Sequence, residues 1–511
     1  MKRATIGTAL IAFLLLLSSS ATSNQGLAAA GAGRYVSSTF FGLSVDGLNV
    51  AHSWPLSVPL GTLGKTEGTE WNWLEPSNGT YDWTPLDNSI AFAKAAGVTT
   101  FVYTFWSTPE WASSAPTQSC ILTPIEGVTG CAAPPSHIGD WDSFVKAVVT
   151  RYTGQIQYFE LWNEANLVET WSGNVTQMLV LAQHAYNDIK TVDSNAVVLA
   201  PSSSRVGILP YSNGCNPAEC WLAEYLQAGG GEYADGFAFH PYACLRNDTA
   251  CAQLGIGCPQ SKIQICAGTP LVTQIEGIRS VLAAYGLSNK PLLSTEGGFP
   301  SDIIGPGLLG TAEEQAAYVS RWFVIQASEN ISTAIWFSEF RPQGGLFGFG
   351  TTSALSEINR GYEQTYSWLV GSTMDGPCSL LSSGVWSCSL TLAGGEEALM
   401  VFADSGETPV SYSPPTGYTE YQALNGSTYP VGGLLDVGME PILLTPQMTS
   451  STTSASNASS GMTSSSAGVP EFPFQLLAAA ASLLMVVASY LIIRRHSLSR
   501  QKSALRNSTR S

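Results

Sequence analysis

The stretch Y-F-E-L-W-N-E-A-N, Tyr158 to Asn166, is an apolar run that stops abruptly at Asn163 and Glu164. Ile156 to Trp162 is too short and too rich in aromatic and branched residues for a helix, so the segment reads as a buried strand. Glu164 then stands at the carboxyl end of that strand. In a barrel of parallel strands this end is the ligand-binding end, because its loops vary while the strands hold position. A second such end is P-L-L-S-T-E-G-G-F, Pro291 to Phe299, where Glu296 follows an apolar run and precedes two glycines that let a ligand approach the backbone.

Working outward, strand and helix patterns alternate. Strands are expected at Phe40–Ser44, within Leu60–Trp73, and at Thr99–Phe105, Ala196–Ala200, Gly236–Phe239 and Thr333–Phe337. Helices are expected at Leu86–Gly97, Asp142–Tyr152, Gln177–Val192, Val272–Tyr285 and Glu313–Glu329. About eight strand–helix units result, the count of a (β/α)8 TIM barrel over 35–370. A doubly wound α/β sheet competes, but no Gly-rich phosphate fingerprint follows the first strand. From 371 to 447 short strands occur without helices, at Val385–Leu392, Ala398–Phe402, Tyr418–Ala423 and Ile442–Thr445. A small C-terminal all-β sandwich domain is expected there, with the first strands of the chain as possible recruits.

The 511 residues are 44% hydrophobic and 12% charged, with a net charge of −16. Eight of the 22 basic residues lie at the two ends, which leaves 14 against 38 acids, or −24, in between. A surface so acidic argues against nucleic acid as a partner. Residues 1–30 read as a secretory signal peptide, with Lys2 and Arg3, an apolar core from Ile6 to Leu17, and small residues at Ser19 and Ala21. Phe472 to Ile493 is long and apolar enough for one transmembrane helix, and the basic tail 494–511 begins at once with Arg494 and Arg495. The expectation is a single-pass type I protein of the cell membrane with its folded part extracellular. Ser/Thr-rich residues 448–470 form the expected stalk.

Acceptor patterns for N-glycosylation stand at Asn78, Asn174, Asn247, Asn330, Asn425 and Asn457. Ten cysteines in an exported chain suggest disulfides. Cys120 with Cys131, Cys215 with Cys220, and Cys378 with Cys388 are local pairs, while Cys244, Cys251, Cys258 and Cys266 allow three pairings. No C-x-x-C or H-E-x-x-H spacing is present, so neither a metal nor another cofactor is expected.

The ordered series T-E-W-N-W-L-E-P-S-N-G-T-Y-D-W (Thr69–Trp83), T-P-E-W, F-E-L-W-N-E-A-N, H-P-Y, S-T-E-G-G-F and I-W-F at Ile335 resembles clan A glycoside hydrolases over Phe40 to Leu369. It is most similar to family 39, the β-xylosidase and α-L-iduronidase group, with family 5 next. The resemblance implies a retaining hydrolase whose acid/base is on strand four and whose nucleophile is on strand seven. Carried over, it makes Glu164 the acid/base and Asn163 the donor to the sugar 2-hydroxyl. Glu296 is then the nucleophile, with His240 and Tyr242 nearby, and Trp336 is the floor under the sugar. Where the family pattern has an arginine near the end of strand two, this chain has G-K-T-E, Gly64 to Glu67, with Lys65 as a neighbouring cation.

Two carboxyl groups suffice to cleave a glycosidic bond, provided one is protonated and the other ionised. Apolar surroundings and the charge of Glu296 are expected to favour the protonated form of Glu164, and hydrogen-bond donors the ionised form of Glu296. Glu160, four residues before Glu164, points to the same side and reads as a structural carboxylate of the barrel interior. Trp106, Trp111 and Trp171 are candidates for sugar subsites, with plain packing the competing reading. The expected activity is retaining hydrolysis of an O-glycosyl bond in a polysaccharide or glycoconjugate at the outer cell surface. The alternative is a catalytically inactive surface protein that binds carbohydrate on the same scaffold.

Overall fold

The structure, a computed structural model, describes residues 33–46, 58–204, 217–242, 269–298, 311–337, 353–404 and 408–446. The chain divides into two compact units, Met1–Met448 and Thr449–Ser511, and everything described below belongs to the first. The signal segment, the stalk, the segment 472–493, the basic tail and the four cysteines from Cys244 to Cys266 lie outside the described residues. No helix among the described residues is long and apolar enough to cross a membrane.

Eight parallel strands form the centre: β1 (Phe41–Asp46), β2 (Thr62–Glu67), β3 (Thr100–Thr104), β4 (Tyr158–Glu160), β5 (Val197–Leu199, resuming at Ser203–Ser204), β6 (Phe237–His240), β7 (Leu292–Ser294) and β8 (Ala334–Trp336). Each pairs with the next, and β8 pairs with β1. The ring closes between β5 and β6 through Leu199 opposite Gly236 and through Ser203 and Ser204 opposite Phe239 and His240. A long helix follows every strand from β2 onward: α1 (Thr84–Ala95), α2 (Ile138–Arg151), α3 (Val175–Val192), α4 (Pro217–Gln227), α5 (Thr269–Ala284), α6 (Ala312–Ser328) and α7 (Ser353–Leu369). This is a TIM-barrel-like fold.

Strand parity sorts the apolar residues. Val102, Leu199, Ala238, Leu293 and Ile335 fill the barrel interior, while their strand neighbours face the helices. Gly42 and Gly64 face Ile335 so closely that a Cβ on either would meet its side chain. The helix starts are set locally: Asn174 and Gln177 form a capping box on α3, and Thr311 and Glu314 form one on α6.

Beyond α7 the chain forms β9 (Thr373–Met374), β10 (Ser379–Leu380), β11 (Val385–Thr391), β12 (Glu397–Ala403), β13 (Val410–Tyr412), β14 (Tyr418–Gln422), β15 (Thr428–Pro430), β16 (Leu435–Val437) and β17 (Ile442–Pro446). One sheet runs β9, β11, β12, β17, β14, β15, and the N-terminal strand Arg34–Tyr35 joins it beside β9. The pair β13 and β16 covers one of its faces. Strand β12 shows why two layers result: Leu399 and Val401 face that pair, whereas Ala398, Met400 and Phe402 join the barrel core. Arg321 of α6 is buried at this junction, where it donates to the Asp404 carbonyl (3.1 Å) and lies 5.1 Å from the Phe402 ring centre. Disulfides join Cys120 to Cys131 and Cys378 to Cys388, and Cys220 is also disulfide-bonded.

Candidate active site

The turn after β4 delivers Asn163 and Glu164, and hydrogen bonds to the β5 region fix it. The Glu164 N–H donates to Ser202 Oγ (3.0 Å) and the Ala165 N–H to the Ser202 carbonyl (2.9 Å). Asn166 donates to the Ser204 carbonyl (2.6 Å) and accepts from the Ser204 N–H (2.9 Å). Inside this frame Glu164 has φ 47°, a left-handed conformation that a glutamate adopts at a cost of about 1–3 kcal/mol. Seven positions after Glu164, Trp171 is buried with its ring edge-on against Trp162.

Glu296 follows β7, and three side chains converge on it. Lys65 Nζ lies 2.5 Å from Oε2, Tyr242 donates its hydroxyl to Oε1 at 2.5 Å, and His240 Nδ1 stands 3.8 Å from Oε2. Burial alone would raise the Glu296 pKa, but the charges of Lys65 and His240 and the hydrogen bonds from Lys65 and Tyr242 lower it overall. The hydrogen-bond donors expected around Glu296 are Lys65 Nζ and the Tyr242 hydroxyl.

Glu164 has different neighbours from those expected. Its Oε1 is 2.9 Å from His240 Nδ1, so an imidazole rather than an apolar wall adjoins it. His240 is buried, which alone would lower its pKa, yet Glu296, Glu164 and Glu160 raise it above the ordinary value. Its Nε2 stands 3.8 Å from Glu160 Oε1. Glu160 is itself buried in the barrel interior, with Thr104 Oγ1 donating to it at 3.4 Å, and burial raises its pKa. Glu160, Glu164 and Glu296 thus surround one imidazole.

Lys65 is more than a neighbouring cation. Between the pairs Leu43–Leu63 and Val45–Thr66 two residues of β2, Gly64 and Lys65, oppose the single Ser44 of β1. This bulge re-aims the lysine toward the ring's carboxyl end. Besides Glu296, its ammonium donates to Asn163 Oδ1 (3.1 Å) and lies 4.9 Å from the Phe337 ring centre and 5.5 Å from that of Trp106. Burial would lower the Lys65 pKa, but Glu296, Glu164 and Glu160 raise it. With Oδ1 accepting from Lys65, the amide group of Asn163 is oriented and its N–H2 is available to a ligand. Lys65 and Glu296 are 231 residues apart, so distance along the chain hides this contact.

The aromatic candidates divide. Trp336 is buried among Tyr318, Trp322 and Phe323 of the helix layer, so it is not the floor of the site. Parity is the reason: Ile335 faces the interior, Trp336 faces outward, and Phe337 turns back toward Lys65. Trp171 is likewise a packing residue with no ring face left for a sugar. Trp111 is half-buried, its indole N–H donating to the Glu75 carbonyl (2.9 Å). The Thr69–Trp83 motif is structural at Glu75, whose carboxylate accepts from Trp71 Nε1 (2.7 Å) and the Gly79 N–H (2.8 Å).

Glu164, His240 and Glu296 offer three possible metal-ligand atoms within 4.8 Å of one another. An oxygen of Glu164 and one of Glu296 therefore lie within 4.8 Å of each other. Two buried carboxyl groups, an imidazole and an ammonium thus form one compact charged centre.

No family model and no curated protein matches the sequence. Solved structures do match in fold. A family 39 glycoside hydrolase from Bacteroides cellulosilyticus WH2 superposes with a TM-score of 0.55 and 17% identity, covering 81% of each chain. A monomeric β-xylosidase from Caulobacter crescentus CB15 gives 0.53 and 14%, covering 81% of this chain and 98% of that one. The catalytic domain of a family 30 xylanase C from Talaromyces cellulolyticus gives 0.52 and 12%, covering 81% and 98%. The fold of this chain is therefore shared with clan A glycoside hydrolases, mainly of family 39, and its charged centre lies at the carboxyl ends of β4 and β7.

Proposed function

We propose that the chain is a retaining glycoside hydrolase that cleaves O-glycosyl bonds by double displacement. The observation that carries the reading is the pair Glu164 and Glu296, with oxygens within 4.8 Å and unlike partners. Retaining glycosidases hold their two carboxyl groups about 5–5.5 Å apart, whereas inverting ones need a wider gap for water. Glu296, ionised under Lys65 and Tyr242, attacks the anomeric carbon while Glu164 gives its proton to the departing oxygen. A glycosyl ester on Glu296 results. Glu164, now a carboxylate, takes a proton from the water that opens the ester, and the configuration is retained. His240, whose Nδ1 is 2.9 Å from Glu164 Oε1, can donate to the Glu164 carboxylate that exists between the two steps. Asn163 would donate to the sugar 2-hydroxyl.

The β-xylosidases and xylanase among the structural neighbours make β-xylosides the first substrates to test. We further propose that the enzyme works outside the cell, held by a membrane helix at 472–493 beyond a glycosylated stalk. Sequons Asn78, Asn174, Asn330 and Asn425 are exposed, which suits that location. A test of the chemistry is incubation with 2-deoxy-2-fluoro glycosides and peptide mass spectrometry: a glycosyl adduct on Glu296 is expected. Absence of any adduct or turnover, with glycans still bound, would favour the inactive carbohydrate-binding alternative.

A further inference from the structure

Among the described residues Trp73 is the one tryptophan classed as exposed, at 36% relative accessibility, and no step above uses it. It sits on a one-turn helix, Trp71–Leu74, four residues past the carboxyl end of β2. That helix is pinned to the end of β3, with the Trp71 N–H on the Trp106 carbonyl and the Asn72 N–H on the Ser107 carbonyl, each at 3.1 Å. Trp106 is also the residue whose ring lies under the Lys65 ammonium. The exposed indole is therefore built onto the same rim as the charged centre, on the side of β2 and β3.

Its edge is held. The indole N–H donates to Glu126 Oε2 at 3.0 Å. Glu126 belongs to the loop closed by the Cys120–Cys131 disulfide. This loop is in turn tied to the loop after β4 by the Ile121 N–H on the Glu169 carbonyl (2.9 Å) and the Ser172 N–H on the Ala132 carbonyl (2.8 Å). A partly exposed tryptophan whose polar edge is anchored presents an apolar ring surface of fixed orientation. The C–H face of a pyranose ring is the complementary surface, because it is flat, weakly polar and unable to satisfy an N–H.

We propose that Trp73 is a sugar-stacking platform for a unit of a glycan chain beyond the cleavage point, with Glu126 as its positioning residue. The inference rests on the glycosidase reading and adds that the substrate is an oligosaccharide or polysaccharide rather than a simple monoglycoside. Stacking of one ring changes affinity by roughly tenfold.

The test uses the full-length protein, β-1,4-xylo-oligosaccharides of two to six units and aryl β-xylosides. Trp73→Ala should lower kcat/KM on the longer oligosaccharides roughly tenfold, mainly through KM, and leave the aryl xyloside unchanged. Trp73→Phe should retain most of the activity. Glu126→Ala should show a smaller loss that Glu126→Gln restores, since an amide oxygen also accepts the indole N–H. Equal loss on long and short substrates, or none on either, overturns the platform while leaving the hydrolase intact. If the wild type cleaves neither, calorimetric binding of the oligosaccharides decides: weaker binding by Trp73→Ala supports the platform without hydrolysis. Unchanged or undetectable binding overturns it.

Discussion

Glu296 and Glu164 are the same residue type at the ends of two strands of one ring, yet they meet opposite surroundings. Glu296 takes an ammonium and a phenol as hydrogen-bond donors, with the His240 ring 3.8 Å away, and the two donors favour a carboxylate. Glu164 takes one imidazole that can give or receive a proton, and its backbone is bent into the left-handed region to bring it there. A third buried carboxyl, Glu70 just past β2, has an oxygen with no hydrogen-bond partner, and burial pushes its pKa up to about 7. The role of each acid is written by what donates to it, not by burial, which all three share.

The sharpest way to break the comparison is to exchange the functions of the first two acids. Glu296→Gln should lower kcat by about 10⁴-fold or more on every substrate. Glu164→Gln should cost about 10²–10⁴-fold on poor leaving groups and much less in the first step with activated aryl glycosides, as pre-steady-state kinetics would show. Equal losses across leaving groups for both variants would remove the assignment of distinct roles.

Next in size is the cation. Lys65→Met should reduce kcat/KM by about 10²–10³-fold. Because Lys65 lowers the Glu296 pKa, its loss should move the acidic limb of the pH profile upward, while Lys65→Arg keeps the limb near its place. Stability should follow the same sign. Glu296, depressed in the fold, contributes stability that is present above its unfolded value of 4.5 and lost as pH falls through the folded value. A Lys65→Met profile unchanged in both respects would break the link between the bulge and the nucleophile.

Glu70, with one oxygen unpartnered, supplies the control of opposite sign. Its folded pKa is raised, so the stability it contributes is complete below 4.5 and is lost as pH rises toward about 7. Glu70→Gln should therefore unfold at higher denaturant than wild type near neutrality, by up to about 3 kcal/mol, with the gap closing toward pH 4.5. Denaturation series at several pH values measure it. The smallest effect belongs to Tyr242→Phe, which removes one donor of Glu296 and should cost about tenfold in kcat/KM with a slight upward move of the acidic limb.

Much of the barrel is legible in the chain because short apolar runs and helical spacing are local patterns. The expected strand at Thr333–Phe337 and the helix at Glu313–Glu329 appear as Ala334–Trp336 and Ala312–Ser328. The C-terminal sheet does recruit the start of the chain, but through Arg34–Tyr35, whereas the first expected strand, at Phe40–Ser44, lies in the barrel. Trp336 and Trp171 were less legible, since an aromatic near a strand end looks the same whether it faces the site or the helices. One residue of parity separates Trp336 from Phe337. Trp73 gave no signal of its own, being one indole in a motif of three, and only exposure singles it out.

By itself the sequence determined the alternation of strands and helices and placed Glu164 and Glu296 at strand ends, because apolar periodicity and the residues that interrupt it are properties of neighbours. Only the tertiary structure decided which groups those carboxyls meet. Lys65 and Glu296 are 231 positions apart, and their 2.5 Å contact exists because the ring closes and β2 carries one extra residue opposite Ser44. Register, bulges and ring closure are fixed by the packing of the whole barrel, and through them the same residue type becomes either an ionised carboxylate or the partner of an imidazole.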